Sequence, residues 1–277
     1  MSHCTYAATP EDVQKMYSTV GKMDNCEGIF ASWVTDPAAI QAALPAPLKM
    51  MVPVVTSYSL LVHDANFSTP YREAALIIPA LYEGVPGLYP ISLLIDGSDN
   101  ACFVGRDQLG MPKKHAAINL HRNGDTAHTD ITRLGAKLLD LDIEVGEYND
   151  PATAAQIFGD TSKPMDGLQY FFKYEMGQDD KARIYVDNVR LLSYRGVMTF
   201  ATWEPAALKS ATLEPSDSDP WAMFPVAKPV GAGYTKMTID LLGTQKETPL
   251  EATDELVGKI ILSKYDSPQF GRPSRML

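Results

Sequence analysis

The sequence has few cysteines and no surplus of basic residues. Its 277 residues include only three cysteines, Cys4, Cys26 and Cys102, whose odd number and irregular spacing predict neither a disulfide framework nor a zinc cluster. Acidic residues outnumber basic ones by 34 to 24, and the net charge of -10 argues against a nucleic-acid partner, because phosphate binding needs a basic face. We therefore expect a cytoplasmic protein with reduced thiols and no metal.

Long apolar runs and phosphate-binding loops are missing as well. No run of 18 apolar residues occurs, which predicts no membrane span. The first residues, MSHCTYAATPEDVQ, lack the basic stretch and apolar run of a secretory signal. Without a Gly-rich phosphate loop, no nucleotide cofactor is expected. Hydrophobic residues make up 45% of the chain and no sharp break in composition occurs, which predicts a single domain over residues 1–277.

Strands dominate the predicted secondary structure. Runs rich in β-branched and aromatic residues predict strands at residues 29–34, 52–62, 74–79, 88–95, 139–145, 168–174, 237–242 and 259–265. A capping side chain followed by proline predicts helices that begin at Thr9-Pro10, Asp36-Pro37 and Asp150-Pro151. The pattern predicts a β-dominated α+β fold, either a barrel or packed sheets, with a few peripheral helices.

Two short segments are predicted to reverse the chain. Asn123-Gly124 is a strong hairpin signal between strands at 116–121 and 128–134. Arg195-Gly196 is predicted to join strands at 183–194 and 197–203. The composition of residues 96–100 predicts a turn, that of residues 206–229 a loop, and that of residues 267–277 an extended peripheral tail.

The most informative stretch is VGRDQLGMPKKHA, at residues 104–116, in which two lysines directly follow a proline. A lysine amine is normally protonated at pH 7 and cannot then attack a carbonyl. Apolar burial and a neighbouring cation both favour the unprotonated form. We predict that Leu109 and Met111 contribute apolar surroundings and Lys114 the neighbouring charge, so that Lys113 can form a Schiff base. The alternative, a solvated surface pair of lysines, stays open on these residues alone.

Residues 104–114 resemble the lysine motif of the acetoacetate decarboxylase superfamily, the established example of a lysine activated by a cationic neighbour. Residues 30–48 are similar to the family's first strand, short helix and Pro-x-Pro-Leu turn, and residues 71–79 to its Tyr-x-Glu strand. The resemblance is clear over the first half of the chain and vague beyond about residue 145. It implies a closed antiparallel β-barrel with helices outside, the lysine inside its mouth, and a homo-oligomer.

The resemblance also implies a set of pocket residues, in which this sequence departs from the family. Glu73 matches the second of two family glutamates, whereas Tyr58 stands at the first and Cys26 at a family arginine. Cysteine cannot hold a carboxylate through two hydrogen bonds as arginine does. Tyr58 can donate a hydrogen bond or move a proton. Two roles are open for Arg106, namely binding a substrate carboxylate and a structural ion pair with Asp107 or Glu73; the structural role is favoured.

Three functions remain open at this point. The favoured one is a lyase that decarboxylates a β-keto acid such as acetoacetate, with the iminium on Lys113 accepting the electrons released with carbon dioxide. The second is aldol or dehydration chemistry on a 2-keto acid, through an enamine on the same lysine. The third is a barrel that only binds a small carbonyl or hydrophobic ligand. The predicted catalytic residues are Lys113, Lys114 and Glu73, and the predicted substrate-binding residues are Tyr58, Arg106 and Met111; no cofactor is expected.

Overall fold

Antiparallel strands form most of the protein in the computed structural model, which describes residues 7–266. The strands are β1 (Lys22–Val34), β2 (Lys49–Met50), β3 (Val54–Ala65), β4 (Tyr71–Tyr82), β5 (Val85–Asp96), β6 (Lys113–His115), β7 (Ala117–Asn123), β8 (Thr126–Arg133), β9 (Ala136–Val145), β10 (Met165–Gln178), β11 (Ile184–Thr212) and β12 (Lys228–Pro249). The α-helices are α1 (Pro10–Ser18), α2 (Pro37–Ala43), α3 (Asp99–Leu109), α4 (Pro151–Phe158) and α5 (Asp254–Ile261), and a 3-10 helix spans Trp221–Met223. The predicted β-dominated fold of packed sheets with a few helices is confirmed.

The strands belong to one sheet, in the order β10-β5-β4-β3-β1-β12-β11-β9-β8-β7. Strand β10 pairs with β11 as well as with β5, so the pairings make a circuit through β5, β4, β3, β1, β12 and β11. The short strands β2 and β6 lie beside β4 and β5, and β6 runs parallel to β5. Because β5 and β6 are parallel, their connection must cross over, and α3 forms it.

The helix starts and one hairpin are confirmed as predicted. The side chains of Thr9, Asp36 and Asp150 accept hydrogen bonds from backbone N–H groups in the first turns of α1, α2 and α4. Each of these helices has proline in its first turn, where the missing N–H costs nothing. The Asn123-Gly124 turn joins β7 to β8, and Gly124 adopts a positive φ of 60°.

Several predicted boundaries are wrong. Arg195-Gly196 is not a turn, because β11 runs through it and absorbs the irregularity as a register shift against β12. The predicted loop at 206–229 is strand as far as Thr212, and β12 begins at Lys228. Residues 254–261, at the predicted last strand, form α5. The turn at 96–100 is shorter than predicted, because Ser98 caps α3. The predicted tail and Cys4 lie outside the described residues.

The sheet is buried on both faces at β4. On β4, Ala74, Leu76 and Ile78 face a large apolar core, whereas Tyr71 and the alternate residues that follow it face the opposite side, under α3. This alternation is the two-residue period of a strand. Within residues 7–266, none of the helices has the length and apolar character needed to cross a bilayer.

Candidate active site

A tight connection from α3 to β6 positions Lys113. Gly110 ends α3 in the left-handed conformation, with φ of 72°. A Cβ at Gly110 would lie 2.5 Å from the backbone oxygen of Phe172, so the position also requires the absence of a side chain. Three residues later β6 begins at Lys113, which pairs with Leu93 of β5. The glycine therefore lets the chain turn directly from the helix into the strand that carries the lysine.

The amine of Lys113 is buried and has two polar partners. Its Nζ donates to Glu73 Oε2 at 3.1 Å and to the backbone oxygen of Ala101 in α3 at 2.9 Å. The side chains of Lys113 and Glu73 are each 7% exposed. The hydroxyl of Tyr58 donates to the other carboxylate oxygen, Oε1, at 2.5 Å. Glu73 therefore links an amine and a phenol within one buried arrangement.

Strand register explains why these residues meet. Phe30, Tyr58, Ala75, Leu93 and Lys113 lie in one row across β1, β3, β4, β5 and β6. Glu73, two residues before Ala75 on the same strand, lies in the adjacent row and on the same face. In that row the small side chain of Ala75 lies between Tyr58 on β3 and Leu93 on β5.

Helix α3 covers this face of the sheet at very short range. A Cβ built on Gly105 would lie 2.9 Å from Met111 Sδ and 3.3 Å from Lys113 Nζ. Met111 is itself buried, in a cluster with Ala75 and Leu93. Met111 therefore lies beside the lysine, where the sequence analysis placed it.

Three weak acids around Glu73 hold their protons. Burial raises the pKa of Tyr58 well above its usual value, and the charge of Glu73 and their hydrogen bond add to this. Burial, followed by the charge of Glu73, also raises the pKa of Tyr71, and the same two causes raise the pKa of the Cys26 thiol to about 12. At neutral pH these three groups keep their protons, and Tyr58 is the one that donates a hydrogen bond to Glu73.

Lys114 lies on the opposite face of β6, which corrects its predicted placement beside Lys113. Adjacent residues of a strand project to opposite sides of a sheet. The Lys114 amine lies 3.0 Å from Asp219 Oδ1 and 3.5 Å from Asp266 Oδ1, and Arg133 contacts the same two carboxylates. Burial lowers the pKa of Lys114, and Asp219 opposes that effect. Lys114 thus anchors the strand on the face of the sheet opposite to Lys113.

Arg106 and Cys26 are two residues whose roles the sequence did not decide. The guanidinium of Arg106 stacks 4.5 Å from the ring centroid of Tyr265. The carboxylate of Glu73, one of its two predicted partners, is bound by Lys113 and Tyr58 instead. Cys26 is a buried free thiol on β1, in the same cluster as Tyr71 and Ala101.

Three features of the site were not predicted, namely the Ala101 carbonyl, the close approach of Gly105 and the position of Tyr71. The first two come from α3, which was itself not predicted. Tyr71 was also overlooked, although its position two residues before Glu73 in a strand would have placed it on the same face.

One group of possible metal ligands lies away from β6, on β8 and β9. His128, Asp140 and Asp142 place ligand atoms within 4.8 Å of one another. Acidic side chains with this degree of exposure commonly occur together without a metal, and we assign none.

Comparison with known sequences gives one family and several full or partial relatives. The family model described as acetoacetate decarboxylase matches residues 5–251. A CLA biosynthesis isomerase from Lactiplantibacillus plantarum is 33% identical over 273 residues, which cover 96% of each chain. An acetoacetate decarboxylase from Ralstonia nicotianae is 32% identical over 102 residues, 37% of this chain and 41% of the relative.

Solved structures share the fold at lower sequence identity. Acetoacetate decarboxylase from Legionella pneumophila superposes with a TM-score of 0.67 at 19% identity, and the match covers 84% of this chain and 88% of the other. The enduracididine biosynthesis enzyme MppR complexed with pyruvate superposes with a TM-score of 0.58 at 13% identity, over 90% and 93% of the two chains. At these identities the comparison establishes the fold alone.

Proposed function

Because the chain belongs to the acetoacetate decarboxylase family, we propose that it is a Schiff-base enzyme that isomerises an unsaturated ketone, moving a carbon–carbon double bond into conjugation with the carbonyl. The observation that carries this proposal is the contact of one buried amine, Lys113, with one buried carboxylate, Glu73. The relative that matches along 96% of both chains is named an isomerase, which supports the same reaction class.

The reaction needs only these two groups for its covalent and proton-transfer steps. Transfer of a proton from Lys113 Nζ to Glu73 leaves a neutral amine, which attacks the substrate carbonyl to give a carbinolamine. Glu73 returns that proton to the carbinolamine oxygen, which leaves as water; an iminium forms and Glu73 is again a carboxylate. The iminium makes the protons on the adjacent α carbon acidic. Glu73 removes one of them to give a dienamine and returns a proton at the γ carbon. Hydrolysis then releases the conjugated ketone and the free amine, with no oxidant or reductant consumed.

The surroundings of Lys113 favour a neutral ketone at the reacting end of the substrate. Where the family pattern has an arginine, this chain has the buried thiol of Cys26, which cannot bind a carboxylate through paired hydrogen bonds. Where the pattern has a first glutamate, Tyr58 donates to Glu73. These two replacements remove polar groups suited to a β-keto acid and keep the amine with its proton acceptor.

Decarboxylation of a β-keto acid, the function favoured on the sequence alone, is the second candidate. Relatives named acetoacetate decarboxylase are 32% and 34% identical over 102 residues each, which supports it. It would use the same iminium, with carbon dioxide leaving in place of the α proton. Aldol or dehydration chemistry on a 2-keto acid would also begin from that iminium, but no specific observation favours it.

The experiment pairs two substrates with one trapping reaction. We would incubate the protein with 4-penten-2-one, a β,γ-unsaturated ketone, and follow the ultraviolet absorbance of the conjugated product. Acetoacetate would be tested separately for carbon dioxide release. Borohydride reduction followed by peptide mass analysis would locate any adduct. We expect conjugation of the ketone and an adduct on Lys113.

Two variants control the assignment. Lys113→Met should lose both adduct and turnover, whereas Lys264→Met, which replaces another buried lysine, should keep both. Carbon dioxide release without conjugation would favour the decarboxylase instead. If neither substrate turns over and the protein mass is unchanged, the enzymatic proposal is wrong and non-catalytic ligand binding is favoured.

A further inference from the structure

Tyr71 has a buried hydroxyl that no described residue satisfies. The residue is 2% exposed, and its hydroxyl has no hydrogen-bond partner among residues 7–266. A buried polar group without a partner destabilises a folded protein, so such groups are uncommon and call for a reason. Tyr58, on the neighbouring strand, has its hydroxyl satisfied by Glu73. Of the two tyrosines on this face, Tyr58 already donates its hydroxyl hydrogen to Glu73, whereas the hydroxyl of Tyr71 donates to no described residue.

The position of Tyr71 is tied to the site by register. It lies two residues before Glu73 on β4 and so faces the same side of the sheet. In the row across the strands, Tyr71 pairs with Val62, and Val62 pairs with Cys26. Tyr71 also packs in one buried cluster with Ala101, the residue whose carbonyl accepts from Lys113. Tyr71 therefore lies on the same face of the sheet as Glu73 and in the same cluster as Ala101, the two residues that bind the amine.

The chemical state of this hydroxyl limits what it can do. Burial and the nearby charge of Glu73 both disfavour the phenolate. A neutral phenol can donate one hydrogen bond, and the hydroxyl of Tyr71 donates to no described residue, whereas Glu73 accepts from Tyr58 and Lys113. The acceptor that the reaction itself brings to the amine is the oxygen of the substrate carbonyl.

We propose that the hydroxyl of Tyr71 donates a hydrogen bond to the carbonyl oxygen of the substrate when its carbon lies within reach of Lys113. The bond would orient the carbonyl and stabilise the negative charge that grows on oxygen as the amine attacks. This inference rests on the proposed Schiff-base function, and it adds a substrate-binding residue that the lysine motif does not contain.

The first test measures binding without the covalent step. Lys113→Met and the double variant Lys113→Met/Tyr71→Phe would be titrated with 4-penten-2-one by ligand-observed nuclear magnetic resonance. Loss of one hydrogen bond should weaken binding about 3- to 10-fold in the double variant. The second test measures the rate of borohydride-trapped adduct formation in otherwise wild-type protein, which Tyr71→Phe should lower about 10²-fold.

Tyr174→Phe is the matched control. The hydroxyl of Tyr174 is also buried without a partner among the described residues, but its side chain packs against the other core. Tyr174→Phe should leave both measurements unchanged, and neither single variant should lower the melting temperature. Equal binding constants in the Lys113→Met pair, or no binding in either, would overturn the role of Tyr71. A wild-type protein that forms no adduct would refute the Schiff-base function, while the binding pair would still decide Tyr71.

Discussion

Replacing Gly105 by alanine should change the stability of the protein little and lower the reactivity of Lys113 more. Glycine inside a helix costs about 1 kcal/mol relative to alanine, so the change should stabilise the helix if the new methyl group had space. At Gly105 it has none, because the Cβ would lie 2.9 Å from Met111 Sδ, 3.2 Å from Lys113 Cε and 3.3 Å from Lys113 Nζ. Overpacking of this kind costs about 1–3 kcal/mol. We expect the free energy of unfolding to fall by about 0–2 kcal/mol.

The effect on chemistry should be larger than the effect on stability. A flexible methionine can move aside, but the lysine amine would be pushed from its position between Ala101 and Glu73. A displacement of about 1 Å at a reacting group costs about 10²-fold in rate, so the few tenths of an ångström required here should cost several-fold. The rate of adduct formation on Lys113, trapped with borohydride at timed intervals and measured by mass spectrometry, should fall several-fold. Urea denaturation of the same samples would give the stability change.

Gly258→Ala is the control for this prediction. Gly258 also lies inside a helix, α5, and a Cβ there would meet nothing within 4 Å. This variant should gain about 1 kcal/mol and react at the wild-type rate. If Gly105→Ala formed the adduct as fast as Gly258→Ala, the amine would not be held against α3, and our description of the covered site would be wrong.

Four further outcomes are expected. Glu73→Gln should lower turnover of 4-penten-2-one by about 10²- to 10⁴-fold, because the amide cannot accept the α proton; wild-type turnover would contradict this. Burial, followed by the charge of Arg106, lowers the pKa of Lys264 to about 7 from 10.5. Between pH 7 and pH 10.5 only the unfolded state binds this proton. The free energy of unfolding of the wild type, relative to that of Lys264→Met, should therefore rise by about 1.4 kcal/mol per pH unit in this range. Parallel stability curves for the two proteins would refute it. Asp219→Asn should destabilise the fold by about 3–5 kcal/mol in urea, since it leaves the Lys114 amine insufficiently paired. We also propose a homo-oligomer, as the family resemblance implies, and light scattering at the monomer mass would contradict it.

The parts of the fold predicted from sequence are those whose signal is local. Capping side chains followed by proline located three helices, and Asn123-Gly124 located a hairpin, because each signal fixes backbone geometry within a few residues. Gly196 misled the prediction because glycine serves a turn and a strand irregularity equally well. Only pairing with β12, distant in sequence, decides between the two.

Helices α3 and α5 were not predicted, for different reasons. Helix α3 contains Gly105 and the β-branched Val104, and its apolar residues do not form a strong stripe. Helix α5 contains the run LVGKII, whose β-branched residues favour a strand. The capping signal was nevertheless present, since the side chain of Thr253 accepts from the backbone N–H of Leu256. Tertiary packing overrides these weak propensities.

The site was predictable in its residues more than in its arrangement. The lysine motif and the Tyr-x-Glu strand named Lys113 and Glu73, which meet at 3.1 Å. The prediction that Lys114 assists Lys113 treated neighbours in sequence as neighbours in space, which strand alternation forbids. Glu73 reaches the amine across β5, a strand that separates the two in the sheet, and that relation appears only once the pairing is known.

The anchoring of Lys114 has a consequence for the alignment of β6. A strand of three residues has few backbone hydrogen bonds with which to resist sliding, and a slip by one residue would exchange the two lysines between the faces of the sheet. The contacts of Lys114 with Asp219 and Asp266 oppose that slip, because a shift that brought Lys114 to Glu73 would leave only Arg133 to pair with these two carboxylates. Lys114 therefore holds β6 in the register that places Lys113, and not Lys114, beside Glu73.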